Sequence, residues 1–269
     1  MRILIVLFSF LFFTCQVAAQ DELLKKISTD TVKIEKVKEL SPMENLKDAD
    51  PKIRRMAVMK LGKIYSEGKV QDKDINKKKA AVKELKNLLK DKDPQIRSAS
   101  AKALNKIDPK ETLKDIIAAL KREKDRNPKV EFIRIIGESK DHINSSIISD
   151  YLKDEDPIVR TDAVAALGKI EDPETYNDIV NMLDDKSEGV RVVASGVIGN
   201  LKIESASDKL IELLDDKNNE VRYFAADALS KVAKIEHVKA VKKRLKVEED
   251  EKVKSVLEDI IKQLSKEKP

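Results

Sequence analysis

Residues 46–261 repeat one two-helix unit seven times, and few folds accept a chain built that way. Leucines closing a first helix stand at Leu46, Leu89, Leu120, Leu152, Leu183, Leu214 and Leu245, one step of 43 residues followed by steps of 31 or 32. A second series, Leu61, Leu104, Ile136, Leu167, Ile198, Leu229 and Ile261, trails it by 15 or 16 residues. A unit of this size cannot bury its apolar face alone and must stack on its neighbours. Within a unit the period is helical: in the sixth, Val221, Ala225, Ala228, Leu229 and Val232 form one stripe. The fold class is therefore all-α, an α-solenoid of about seven helix-turn-helix repeats.

Each second helix is expected to open on a residue able to cap free backbone N–H groups: Asp50, Asp93, Asn127, Asp156, Ser187, Asn218 and Asp250. Pro51, Pro94, Pro128 and Pro157 follow four of them, where a missing N–H costs nothing. The third unit breaks phase. Its Ile136-Gly137 ending is in register only if the count begins at Asp125, so with Asn127 as cap the helix should start late and run short. Alanines such as Ala163 and Ala166 let helices approach closely, while Gly62, Gly168 and Gly199 suit either tight packing or a C-terminal turn.

Outside the repeats, Arg2 and the apolar run 3–13 read as a secretory signal, too short to span a bilayer. Val17-Ala18-Ala19 places cleavage after Ala19, giving a signal peptide over 1–19 and an exported protein of the periplasm or cell envelope. Lipidation of Cys15 is the weaker alternative, since Phe12-Phe13-Thr14 is a poor approach to it. Residues 20–40 are expected to form an N-terminal helical cap, 41–265 the solenoid and 266–269 a tail. The long first step places an insertion near 66–76. With Cys15 in the leader, the mature chain makes no disulfide, so its stability must come from the packed core.

The Asp-Pro-Ile-Val-Arg opening at 156–160 and the Ala-Leu-Gly-Lys-Ile ending at 166–170 resemble HEAT repeats of the short, phycobilisome-lyase-like type. The resemblance implies an armadillo-like solenoid, and it implies that Arg54, Arg97, Arg160, Arg191 and Arg222 bridge to acidic groups at the turns. Lys254 departs mildly from that pattern and Glu131 departs outright.

Two enzyme groups share this repeat. Deoxyhypusine hydroxylases look like HEAT proteins holding iron through His-Glu pairs, but the two histidines here, His142 and His237, precede Ile143 and Val238. For a bilin lyase the repeats offer only scattered aromatics, in a chain that is 4% aromatic and lacks Trp. Glycine-rich phosphate loops, cysteine clusters and catalytic triads are absent from the sequence. Asp154-Glu155-Asp156 and the acidic string 248–251 lack the spacing of a calcium loop, and Asn144-Ser145-Ser146 matches a glycosylation sequon. The chain is expected to be no enzyme and to hold no cofactor or metal.

What remains is surface. In HEAT stacks second helices commonly line the concave face, and two sets of residues there are candidates for partner binding. One is a basic row of Lys63, Lys106, Lys169 and Lys231; the other is an apolar strip of Ile158, Ala165, Val192, Gly196 and Tyr223, expected to be exposed. The reading is a protein-protein interaction scaffold or adaptor of the cell envelope, its partner a protein. The alternative is binding of an anionic polymer or membrane surface through the lysines. A net charge of +5 on a chain that is 38% charged gives little support to nucleic-acid binding. The sequence leaves the oligomeric state open.

Overall fold

The computed structural model describes residues 40–66 and 74–266. The signal peptide and nearly all of the N-terminal cap expected above lie outside the described residues, as do 67–73 of the insertion. The described ends of the insertion are helical: Ser66 closes one helix and Ile75 begins the next.

Fourteen α-helices run through the described residues: α1 Pro42–Asn45, α2 Pro51–Ser66, α3 Ile75–Leu88, α4 Pro94–Ile107, α5 Pro109–Leu120, α6 Arg126–Glu138, α7 Ser145–Ser149, α8 Pro157–Ile170, α9 Tyr176–Asn181, α10 Glu188–Leu201, α11 Ser207–Leu213, α12 Asn219–Val232, α13 Val238–Leu245 and α14 Glu251–Lys266. Even-numbered helices are the second helices of the repeats. From α2 to α14 each packs on the next, and α3 to α13 form the other layer. The first helices α7, α9, α11 and α13 are each led in by a short 3₁₀ turn. The stripe of the sixth unit is wholly buried, as are its counterparts Val159, Ala163, Ala166, Leu167 and Ile170 in α8.

Side chains of Asp50, Asp93, Asp156, Asn218 and Asp250 accept N–H groups of the first helical turn, as expected of caps. Ser187 occupies the cap position without such a bond. The third unit corrects the sequence reading. Its helix α6 begins at Arg126 with Asp125 as cap, so it neither starts late nor takes Asn127 as its boundary. Pro128 falls in the first turn, where N–H groups have no intrahelical partner, and the local cap signal of Asn127 is overridden.

The reason lies in a ladder that runs from each of the first six units to the next. Arg54, Arg97, Arg160, Arg191 and Arg222 each direct Nε and Nη2 to one carboxylate in the turn between the two helices of the next unit: Asp91, Glu123, Asp185, Asp216 and Glu248, at 2.7–3.1 Å. Nη1 of each donates to the carbonyl six residues earlier. That carbonyl belongs to the acid serving the preceding arginine at Asp91, Asp185 and Asp216, so adjacent rungs share a residue. Counted from Asp125, the third unit puts Lys129 at the arginine's place, and its Nζ meets Asp154 at 2.7 Å. Glu131 is thus no departure in the ladder; it sits two positions further along and pairs with Lys102 at 2.9 Å.

Glycines near the helix ends serve packing. A Cβ on Gly137 would lie 2.8 Å from the Ala166 backbone, and one on Gly199 would lie 2.9 Å from that of Ala228. The left-handed turns that end helices in three units fall instead on Lys140, Glu171 and Lys202.

Candidate partner-binding surface

The second helices α2, α4 and α6 lie side by side and frame an open groove of about 990 Å³. Small residues make its floor, Gly62 and Ala103 in contact and Ala99 beside them. Met59 stands over it with 63% of its surface exposed, and Met56 and Ile64 on the same helix are also exposed. The rim is cationic: Arg55, Lys60 and Lys63 from α2, Lys102 and Lys106 from α4. Across α2 and α4 together there are eight basic side chains and no acidic one. Arg54 and Arg97 are consumed by the ladder, which leaves six toward solvent. From α6, Glu131 enters the far side and engages Lys102.

This groove gathers Lys63 and Lys106 from the basic row and separates them from the other two. Lys169 stands 3.7 Å from Glu138, and Lys231 is 2.8 Å from Asp227. The apolar strip is not the exposed surface expected of it. Ile158 is exposed, but Ala165, Val192, Gly196 and Tyr223 are half-buried. A Cβ on Gly196 of α10 would come within 3.9 Å of the Phe224 ring on the next second helix, and Tyr223 meets Phe224, its neighbour on the same helix, edge-on with centroids 5.5 Å apart. Tyr223 also borders a smaller, acid-rimmed cavity with Glu220, Asp250 and Glu251.

Reading by offset missed Arg55, Met59, Lys60, Gln95 and Lys102. The available signal was the want of acidic residues in two successive second helices, when every later second helix carries at least one.

The remaining polar groups have local roles. Burial pushes the carboxyls of Asp91, Glu123, Asp154 and Asp185 up, but their ladder cations and cap N–H groups pull them below the ordinary range. Glu248, with a fully buried side chain, goes furthest. Against the same burial, Arg222, the Asp250 N–H, Arg244 and the Glu249 N–H bring it to about 2. Each acidic string accordingly supplies one ladder acid and one cap, Asp154 and Asp156 in the first and Glu248 and Asp250 in the second. His237 Nδ1 accepts the Lys234 N–H, and Asn144 of the sequon is buried. Among the described residues, no group of three or more His, Cys, Asp or Glu side chains is placed to hold a metal ion.

Stacked helix pairs locked by an inter-unit arginine ladder define an α-solenoid. Sequence comparison names the kind: HEAT repeats match residues 41–129, 113–194 and 176–261, and the chain belongs to the HEAT-repeat family. Among curated proteins no sequence match is found. Among solved structures, Escherichia coli YibA superimposes with a TM-score of 0.61 at 20% identity, over 82% of this chain and 80% of that one. Importin beta aligns with a TM-score of 0.55 at 12% identity, over 81% of this chain and 35% of its own. The CpcE–CpcF complex of phycocyanin lyase from Nostoc sp. PCC7120 gives 0.49 at 17% identity, over 86% and 97%. At these identities the likeness to YibA and importin beta is one of fold.

Proposed function

We propose that this HEAT-repeat protein is a non-enzymatic scaffold or adaptor of the cell envelope that holds an acidic segment of a partner protein across the faces of α2, α4 and α6. The observation that carries the reading is the groove: a small-residue floor under an exposed methionine, rimmed by cations from two helices that contain no acid. Apolar area supplies affinity to such a site and the charged rim supplies steering and selection. Methionine suits a surface that must accommodate another side chain, because its stem is unbranched and polarizable. The envelope location rests on the leader-like residues 1–19 alone. The lysine row as a continuous polymer-binding surface is the weaker reading, because Lys169 and Lys231 already face acids.

The test is quantitative co-purification from the native cell with the wild type and a Met59→Glu, Lys106→Glu variant. Both positions are exposed, so circular dichroism should show no loss of helix. One protein with an acidic segment should be depleted at least about tenfold, the equivalent of about 1.4 kcal/mol. An unchanged set of partners would remove the groove from consideration.

A further inference from the structure

A second charged surface lies in the other helical layer, at the C-terminal end of the stack. Lys239, Lys242, Lys243 and Lys246, at spacings that place them along one side of α13 and its C-cap, are all exposed. Elsewhere on the molecule lysines are commonly matched: Lys86 with Asp115, Lys129 with Asp154, Lys209 with Asp184, Lys234 with Glu204. Among the described residues none of the four on α13 has an acidic partner. The nearby acids end on other cations, Glu204 on Lys234 and Asp215 on Arg244. Glu236, before the helix, faces His237. Two exposed aliphatic side chains bracket the stripe, Ile235 at 54% and Val247 at 63%.

We propose that this face docks the protein on an anionic lipid surface. Charge complementarity selects an anionic occupant, and the side-chain types select a lipid one. Lysines are compact point charges suited to a diffuse field of headgroups, whereas planar recognition of carboxylates favours arginine, which this stripe lacks. An isolated aliphatic side chain at each end can dip into the headgroup boundary, and the hollow that Ile235, Val238 and Ala240 line beside the four lysines is wide open and can lie against the same boundary. Because the stripe belongs to the first-helix layer and the groove to the second, docking here leaves the groove open.

The experiment is co-sedimentation of the full chain with phosphatidylcholine vesicles, with and without phosphatidylglycerol, at low and high salt. Neutral vesicles report whatever binding is independent of charge, including that of the apolar residues 3–13, and only the excess on anionic vesicles counts. A lysine near such a surface is worth about fivefold in partitioning. A Lys239→Gln, Lys243→Gln variant should therefore lose about 25-fold of the excess, and high salt should abolish most of it. The groove variant should keep the excess. An Ile235→Ser, Val247→Ser variant should dissociate faster at equal charge. The proposal is overturned if anionic vesicles give no excess, if the groove variant rather than the α13 variant loses it, or if α13 binds soluble polyglutamate while vesicles are ignored.

Discussion

Arg160 shows most plainly what one residue does in this protein. Its guanidinium holds Asp185 at 2.7 and 2.8 Å and the Asp154 carbonyl at 2.9 Å, with both charged side chains almost wholly buried. Replacing two buried ions by apolar groups can be neutral, but removing one strands the other. Arg160→Ala should cost about 3 to 5 kcal/mol by urea unfolding, whereas Asp250→Ala, which removes a cap, should cost about 1 kcal/mol. Glu248 gives the ladder a pH signature. Its folded-state pKa is depressed to about 2, so its contribution is fully present above the ordinary value of 4.5 and is lost as pH falls from there toward 2. The amount is on the order of 3 kcal/mol. Glu248→Gln should lower stability at neutral pH and flatten that stretch of the acid limb, and an acid limb of unchanged slope would contradict the assignment. The ladder's five arginines were legible in the sequence through the family resemblance, whereas Lys129 was hidden behind the misplaced boundary that put Glu131 at its position. Their acid partners were not singled out, because a turn holding several carboxylates does not show which one faces the arginine.

Among the helices, close approach sets the tolerance to change. At Gly137 a new Cβ meets the Ala166 backbone, which cannot yield without moving α8, so Gly137→Ala should destabilise by about 1 to 3 kcal/mol. Gly189, at the start of α10, faces only the Ser187 hydroxyl at 3.8 Å, and Gly189→Ala should stabilise by about 0.4 to 1 kcal/mol. Thermal midpoints of the pair moving in opposite directions would verify the seam. Helix type and order were readable because an apolar stripe of 3.6-residue period survives in every unit. The boundary of α6 was misread because Asn127 is as good a cap as Asp125 by residue type, and the choice between them is made by Lys129 reaching Asp154 in the next unit. That is a tertiary decision. The same reasoning explains the apolar strip: Gly196 has an outward offset on an isolated helix, but the Phe224 ring of the next second helix stands against it.

Across the whole stack, the two layers carry different chemistry at opposite ends: a cationic groove with exposed methionine over α2, α4 and α6, and a lysine stripe on α13. The period made the solenoid legible, yet the groove was not, since a site made by three helices has residues some 30 to 43 apart in sequence, each unremarkable alone. What singles it out is that α2 and α4 both lack acids and lie adjacent, and adjacency is a property of the fold. The most direct test of the scaffold reading is a photo-crosslinking side chain placed at Met59 and, in a separate chain, at Tyr223, followed by irradiation in the native cell. The groove predicts one dominant protein adduct from Met59, competed away by salt, and little from Tyr223. Equal adducts from both positions, or an adduct from Tyr223 alone, would contradict it.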